Sequence, residues 1–176
     1  MSRAVNGPVS RLVPVHRLPP GGLDVTVKVT AEESAALAAD LGIPAIRDLD
    51  ARYHVMPTRT GVHVEGRLTA TVSQVCVVTL DTFESRIEEP VEVDFQEPAQ
   101  ASRRRAPEPE EEADLDRPDE IVDGRVDLGA TTAEFLALAL DPYPRKPGVE
   151  FVYRDAEDEA GAAPLAGLGA ALKDGS

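Results

Sequence analysis

The sequence predicts an α+β protein: a bent antiparallel sheet of about five or six strands, open to barrel-like closure, with two short helices against it and a long acidic insert. Three observations carry this. Apolar and polar side chains alternate with a period of two over residues 23–29, 49–55, 62–72 and 87–95 of the 176-residue chain. Two other stretches place leucines at helical spacing behind a Thr-x-x-Glu start, at Thr30 and at Thr131. Residues 97–124 hold too few apolar side chains to join a core.

Residues 1–22 are rich in Pro and Gly and end in Pro19-Pro20-Gly21-Gly22; Val9, Leu12, Val13 and Val15 fit an edge strand, where the prolines confine them. Leu23, Val25, Val27 and Val29 alternate as a half-buried strand. Thr30 and Glu33 form a capping box that opens a helix through Leu37 and Leu41, stopped by Gly42 and Pro44. Leu49, Ala51, Tyr53 and Val55 form the next strand, and residues 57–61 are a turn centred on Thr58 and Arg59. Val62, Val64, Leu68, Ala70 and Val72 return as the second hairpin strand, with a bulge expected at Gly66. Residues 75–80 are a β-branched run with a turn at Asp81 and Thr82. Ile87, Val91, Val93 and Phe95 follow as a strand, which Pro90 assigns to an edge or a bulge.

The insert, residues 97–124, reads as a disordered linker: Arg103-Arg104-Arg105 precede a block dominated by Asp and Glu. Thr131 and Glu134 form a second capping box for an apolar helix through Phe135, Leu136 and Leu140, stopped by Asp141-Pro142. Val149, Phe151 and Tyr153 fit a final short strand, and residues 154–176 a flexible tail. The chain is thus one domain over residues 8–153, interrupted by the linker.

Composition removes several classes of function. No apolar run is long enough to cross a bilayer, and no apolar stretch follows the first arginines as in a secretory signal. A single cysteine makes neither an internal disulfide nor a multi-cysteine zinc site, so a reducing cytoplasm is expected. The formal charge is −14, but it is unevenly placed: net +1 over residues 1–80, −11 over 81–123 and −4 over 124–176. That balance argues against DNA and unspecific nucleic-acid binding, while leaving room for a local basic patch. Gly-x-x-x-x-Gly-Lys, Gly-x-Ser-x-Gly and His-Glu-x-x-His are all absent.

The remaining chemistry is sparse. Cys76 sits in the β-branched run and reads as a buried, inert thiol rather than a nucleophile. His54 and His63 are expected to face each other across the hairpin on its solvent side; two imidazoles lack the further ligands of a stable metal site, so a solvated pair is the better reading. Arg47, Arg52, Arg59 and Arg67 bracket the same hairpin, and with the two histidines they form the candidate surface for RNA or a partner. No catalytic, cofactor or metal residue is expected.

Two blocks resemble a known family. Residues 75–80 (Val-Cys-Val-Val-Thr-Leu) are followed by Glu84 and by Glu-Glu-Pro-Val-Glu-Val-Asp-Phe over 88–95. The second block is Asp127-Leu128-Gly129, a helix with Glu134 and Leu138-Ala139-Leu140, then Asp141-Pro142-Tyr143-Pro144-Arg145-Lys146. In this order, over roughly residues 8–153, the chain resembles the YceD-like proteins, a family linked to accumulation of large-subunit ribosomal RNA. Many members carry Cys-x-x-Cys at the first block; here Cys76 matches the first position and Thr79 takes the second, so metal binding is not carried over. The resemblance implies a non-enzymatic bacterial factor supporting maturation of large-subunit (23S) rRNA. Its partner would be that rRNA or its precursor particle, reached directly or through a basic ribosomal protein, with no membrane, no DNA and no cofactor. An adaptor for a ribosomal or lipid-metabolism protein and a small acid-base or metal-assisted hydrolase are the alternatives.

Overall fold

The computed structural model of the protein describes residues 7–97 and 118–149. The chain divides into two compact units, residues 1–146 and 147–176, and every element below lies in the first. Strand β1 (Leu12–Pro14) and a single 3-10 turn (Val15–Arg17) lead to β2 (Leu23–Lys28), helix α1 (Ala31–Asp40), β3 (Ala45–Pro57), β4 (Gly61–Val75) and β5 (Thr82–Gln96). After residues 98–117 come β6 (Asp119–Glu120), β7 (Arg125–Asp127) and helix α2 (Leu128–Ala139). The main sheet has the order β2-β3-β4-β5-β6, antiparallel except that β6 runs parallel to the end of β5. It is open, so the barrel-like form of the expected sheet does not occur.

The period-two alternation does what it predicts. Val27, Ala51, Tyr53, Val55, Val62, Val64, Leu68, Ala70, Val72 and Val91 turn to one face and are buried there against Leu128 and Leu136 of α2 and Leu37 of α1. The helix α1 starts as predicted: Thr30 accepts from the Glu33 N–H at 3.2 Å and the Glu33 carboxylate accepts from the Thr30 N–H at 2.8 Å. Arg11 then grips Glu33 with two guanidinium nitrogens at 2.7 and 2.9 Å. This pair holds the Glu33 carboxyl down at about 2, through the Arg11 hydrogen bond first and the Thr30 N–H second.

Several local expectations are corrected. The bulge lies between Arg47 and Asp50, where Asp48 adopts φ 51°, and not at Gly66. The extra residue switches the core face from even numbers (Ile46) to odd ones (Leu49, Ala51), so both halves of β3 bury their apolar side. Gly66 pairs in register with Tyr53 and is needed for room: a Cβ there would run into the Arg52 backbone carbonyl and lie 2.7 Å from the Tyr53 ring. The α2 helix begins at Leu128, not after Thr131, because Asp127 is the stronger cap; its carboxylate accepts from the Gly129 and Ala130 N–H groups at 3.0 and 3.2 Å. Order after the insert resumes before residue 124: Asp119 and Glu120 pair with β5, and Ile121 is buried. The first segment is not an edge of the main sheet; β1 pairs with β7 in a separate two-stranded sheet. The strand expected at Val149, Phe151 and Tyr153 lies outside the described residues beyond Val149.

Strand β5 leaves one edge open from Thr82 to Asp94 among the described residues, since β6 reaches only Phe95 and Gln96. Two hydrogen bonds in the register of the β4–β5 pair set its phase: Cys76 N–H to the Asp81 carbonyl at 2.9 Å and Glu97 N–H to the Thr60 carbonyl at 3.2 Å. Odd residues of β5 therefore bond to β4, and even residues turn N–H and C=O outward. Ile121 N–H accordingly finds the outward Gln96 carbonyl at 2.9 Å. Pro90 is tolerated because its missing N–H falls on the open side.

Candidate functional site

The solvent face of the main sheet carries most of the predicted site. The turn of the β3–β4 hairpin closes with Thr58 N–H on the Gly61 carbonyl at 2.9 Å, and the pairs are Pro57 with Val62, Met56 with His63 and His54 with Glu65. The register is thus displaced by two residues from a turn centred on Thr58 and Arg59. His54 and His63 share the face, as expected, but as diagonal neighbours, and each engages its own acid. His54 Nδ1 meets Asp24 Oδ1 at 2.6 Å, and His63 Nδ1 meets Asp94 Oδ1 at 2.7 Å with Glu92 at 4.0 Å. Among the described residues, no three His, Cys, Asp or Glu side chains are grouped so as to hold a metal ion.

The arginines are divided in the same way. Arg47 on β3 pairs with Glu84 of β5 at 2.6 Å, reaching past β4, and Arg67 on β4 pairs with Glu88 of the adjacent β5. Arg52 stands opposite Arg67 and, like Arg59 in the hairpin turn, has no carboxylate partner among the described residues. Asp24, Thr26, Arg52, His54, Glu65 and Glu92 line a shallow depression of about 690 Å³ on this face. The surface is therefore a mosaic in which acids interleave with the arginines and prevail at the hairpin end.

The family-motif residues gather elsewhere, in two clusters that sequence reasoning does not bring together. Strand β4 ends at Val75, one residue before Cys76, because the chain turns there: Leu80 N–H donates to the Cys76 carbonyl at 2.9 Å with Leu80 at φ 61°. The segment after α2 closes over this turn. Val77 N–H donates to the Pro144 carbonyl at 2.9 Å, Gln74 reaches the Asp141 carbonyl at 3.3 Å, and Lys146 approaches Asp81 at 3.5 Å. Cys76 is buried, as expected, yet its thiol is pulled down to about 6. The Lys146 backbone N–H contributes most, then the Thr79 hydroxyl and backbone N–H; burial opposes them and is outweighed. So Thr79, at the second motif position, is one of the groups that favour the thiolate.

Asp127 organises the second cluster. Besides capping α2, its carboxylate accepts from the Arg11 N–H and the Ser10 hydroxyl, both at 2.6 Å, tying the start of the chain to the helix. Leu128 is fully buried, and Gly129 has no room for a side chain, since a Cβ would meet Ser10 and Arg11 backbone atoms at 2.7 Å. Glu134 and Pro142 are exposed. Asp127, Leu128 and Gly129 thus have capping and packing roles, whereas Glu134 and Pro142 lie at the surface.

An open meander sheet, one helix stapled across it by an Asp-Leu-Gly cap, and a cysteine turn clasped by the segment after that helix define a small α+β protein. The family model described as "Large ribosomal RNA subunit accumulation protein YceD" matches residues 64–166, more than half of the chain, and the chain belongs to that family. The match begins in β4, so it covers both motif clusters but not β1 to β3. No curated protein and no solved structure matches the chain. No helix among the described residues is long and apolar enough to cross a membrane.

Proposed function

We infer that the protein is a non-enzymatic, cytoplasmic factor supporting accumulation or maturation of large-subunit ribosomal RNA, and that it reaches the precursor particle through a basic ribosomal protein rather than bare RNA. The family membership supports the link to large-subunit ribosomal RNA. The second part is supported by the charge mosaic of the sheet. Arg47 and Arg67 are already engaged by Glu84 and Glu88, and the depression at the hairpin end is rimmed by Asp24, Glu65 and Glu92. Carboxylates so placed repel phosphate and attract lysine and arginine. On the described sheet face, His54, His63, Arg47 and Arg67 are each engaged with an acid of their own instead of converging on one reacting point, which favours a binding role over acid-base catalysis.

The test is capture of tagged protein from lysate with and without nuclease, reading both RNA and protein. Large-subunit rRNA is expected in the untreated sample, and a basic ribosomal protein should persist after nuclease. Loss of every ribosomal component on nuclease treatment would show direct RNA contact, and the unpaired Arg52 and Arg59 would then be the first residues to reverse in charge.

A further inference from the structure

The open edge of β5 is self-complementary. Its outward-facing residues before Pro90 are Thr82, Glu84, Arg86 and Glu88, each presenting a backbone N–H and C=O to solvent. A row of such groups is a template for another strand, and the edge already accepts one at its far end, where β6 joins Phe95 and Gln96. The question is which strand fits the free part.

We propose that residues 82–88 of β5 pair antiparallel with the same residues of a second copy of this chain, about a two-fold axis at Ser85, joining the two main sheets into one. Outward groups must meet outward groups, so even residues pair only with even residues. An axis at Glu84 or Glu88 sets two glutamates face to face, and one at residue 82 or 83 pairs too little of the segment, which leaves three short registers. With the axis at Arg86, two arginines oppose each other and Glu84 opposes Glu88, placing like charges together. With the axis at residue 87, Glu84 falls opposite Pro90, which has no N–H to give. With the axis at Ser85, Glu84 of each copy lies opposite Arg86 of the other, and Thr82 opposite Glu88. All four outward pairs then have both donors and both acceptors, and Pro90 lies just beyond the paired segment.

The other face agrees. Phe83 and Ile87 are half-buried on the core side of β5. The Ser85 register sets Phe83 of one copy beside Ile87 of the other, an aromatic–aliphatic cross-strand pair of the kind that stabilises sheets. A two-fold axis normal to the sheet keeps both core faces on the same side, so α2 of each copy stays on its own sheet. Interfaces of this symmetry place one patch against itself, which is what this edge offers.

The test is a charge swap read by sedimentation equilibrium over a concentration series reaching the solubility limit. The unmodified protein should show a monomer–dimer equilibrium. Arg86→Glu puts Glu opposite Glu84 twice per dimer, and Glu84→Arg puts Arg opposite Arg86 twice; each alone should weaken dimerisation about tenfold or more. Mixed together, the two variants should form a heterodimer, because every Glu then meets an Arg. The double variant Glu84→Arg/Arg86→Glu should dimerise again. In the unmodified protein, amide exchange at Thr82, Glu84, Arg86 and Glu88 should slow as concentration rises, a readout needing no substitution. A protein that stays monomeric throughout, or single variants that dimerise as well as the parent, would overturn the proposal; so would exchange at these four amides that ignores concentration.

Discussion

Tyr53 and Thr132 join the sheet to α2 through a hydrogen bond of 2.8 Å between two buried hydroxyls. The direction of that bond is determined. Thr132 has one hydroxyl hydrogen and spends it on the Leu128 carbonyl one turn back, at 2.7 Å, so Tyr53 must donate. Burial raises the Tyr53 pKa, which keeps the phenol protonated and the donor in place. The two deletions are therefore unequal. Tyr53→Phe removes the donor but leaves Thr132 bonded to Leu128, and should cost about 0.5–1.5 kcal/mol, the net value of one hydrogen bond. Thr132→Val keeps the shape but orphans a buried phenol, and should cost about 1–3 kcal/mol. The double variant leaves no orphan and should lie close to Tyr53→Phe alone, giving a coupling of the size of the Thr132→Val cost, about 1–3 kcal/mol. Urea unfolding of the four proteins measures all three numbers. Thr132→Val no more destabilised than Tyr53→Phe, with additive effects, would refute the assigned direction and the closed seam it implies.

Four further outcomes follow from the same geometry. The Cys76 thiolate absorbance should titrate near pH 6, and Thr79→Val should move the midpoint upward; a midpoint near 9 would contradict the donor cluster. Because the folded value is depressed, Cys76 adds stability that is complete above the ordinary thiol pKa of 9.0 and lost as pH falls through about 6, so melts of the parent against Cys76→Ser should diverge upward across that window. Gly129→Ala should destabilise by about 1–3 kcal/mol, through the clash with Ser10 and Arg11, and a neutral result in thermal melts would mean the chain start yields freely. Deleting residues 100–117 should leave the thermal transition within a few degrees, because their sequence is poor in core-forming side chains, whereas extending the deletion through 122 removes buried Ile121 and should lower it clearly.

What could be read from the sequence was whatever local periodicity or local chemistry decides. The Thr30 capping box, the alternation in β2 to β5 and the edge position of Pro90 depend on neighbours a few residues away, and the structure repeats them. The misplacements share a cause. Glycine often marks a bulge, but Gly66 leaves room for the Arg52 backbone and the Tyr53 ring on the adjacent strand, and the bulge falls at Asp48, whose left-handed backbone no periodicity announces. The hairpin register depended on which turn residues close it, and an error of two left His54 and His63 on the correct face with the wrong partners. A Thr131 capping box was plausible until Asp127, needed also by Ser10 and Arg11 more than a hundred residues away, claimed the cap. The clasp between the Cys76 turn and Pro144 to Lys146 is long-range and made largely by backbone groups; the one signal for it was that both blocks belong to the same family motif.

The most direct measurement is the ratio of large- to small-subunit rRNA in cells lacking this chain, with and without its return. The account predicts a lowered ratio, restored by the parent protein and also by Cys76→Ala, on the proposal that the cysteine turn is a structural clasp and not a reacting centre. An unchanged ratio in the deleted cells would contradict the role in rRNA accumulation, and a well-folded Cys76→Ala that fails to restore it would contradict the non-enzymatic reading.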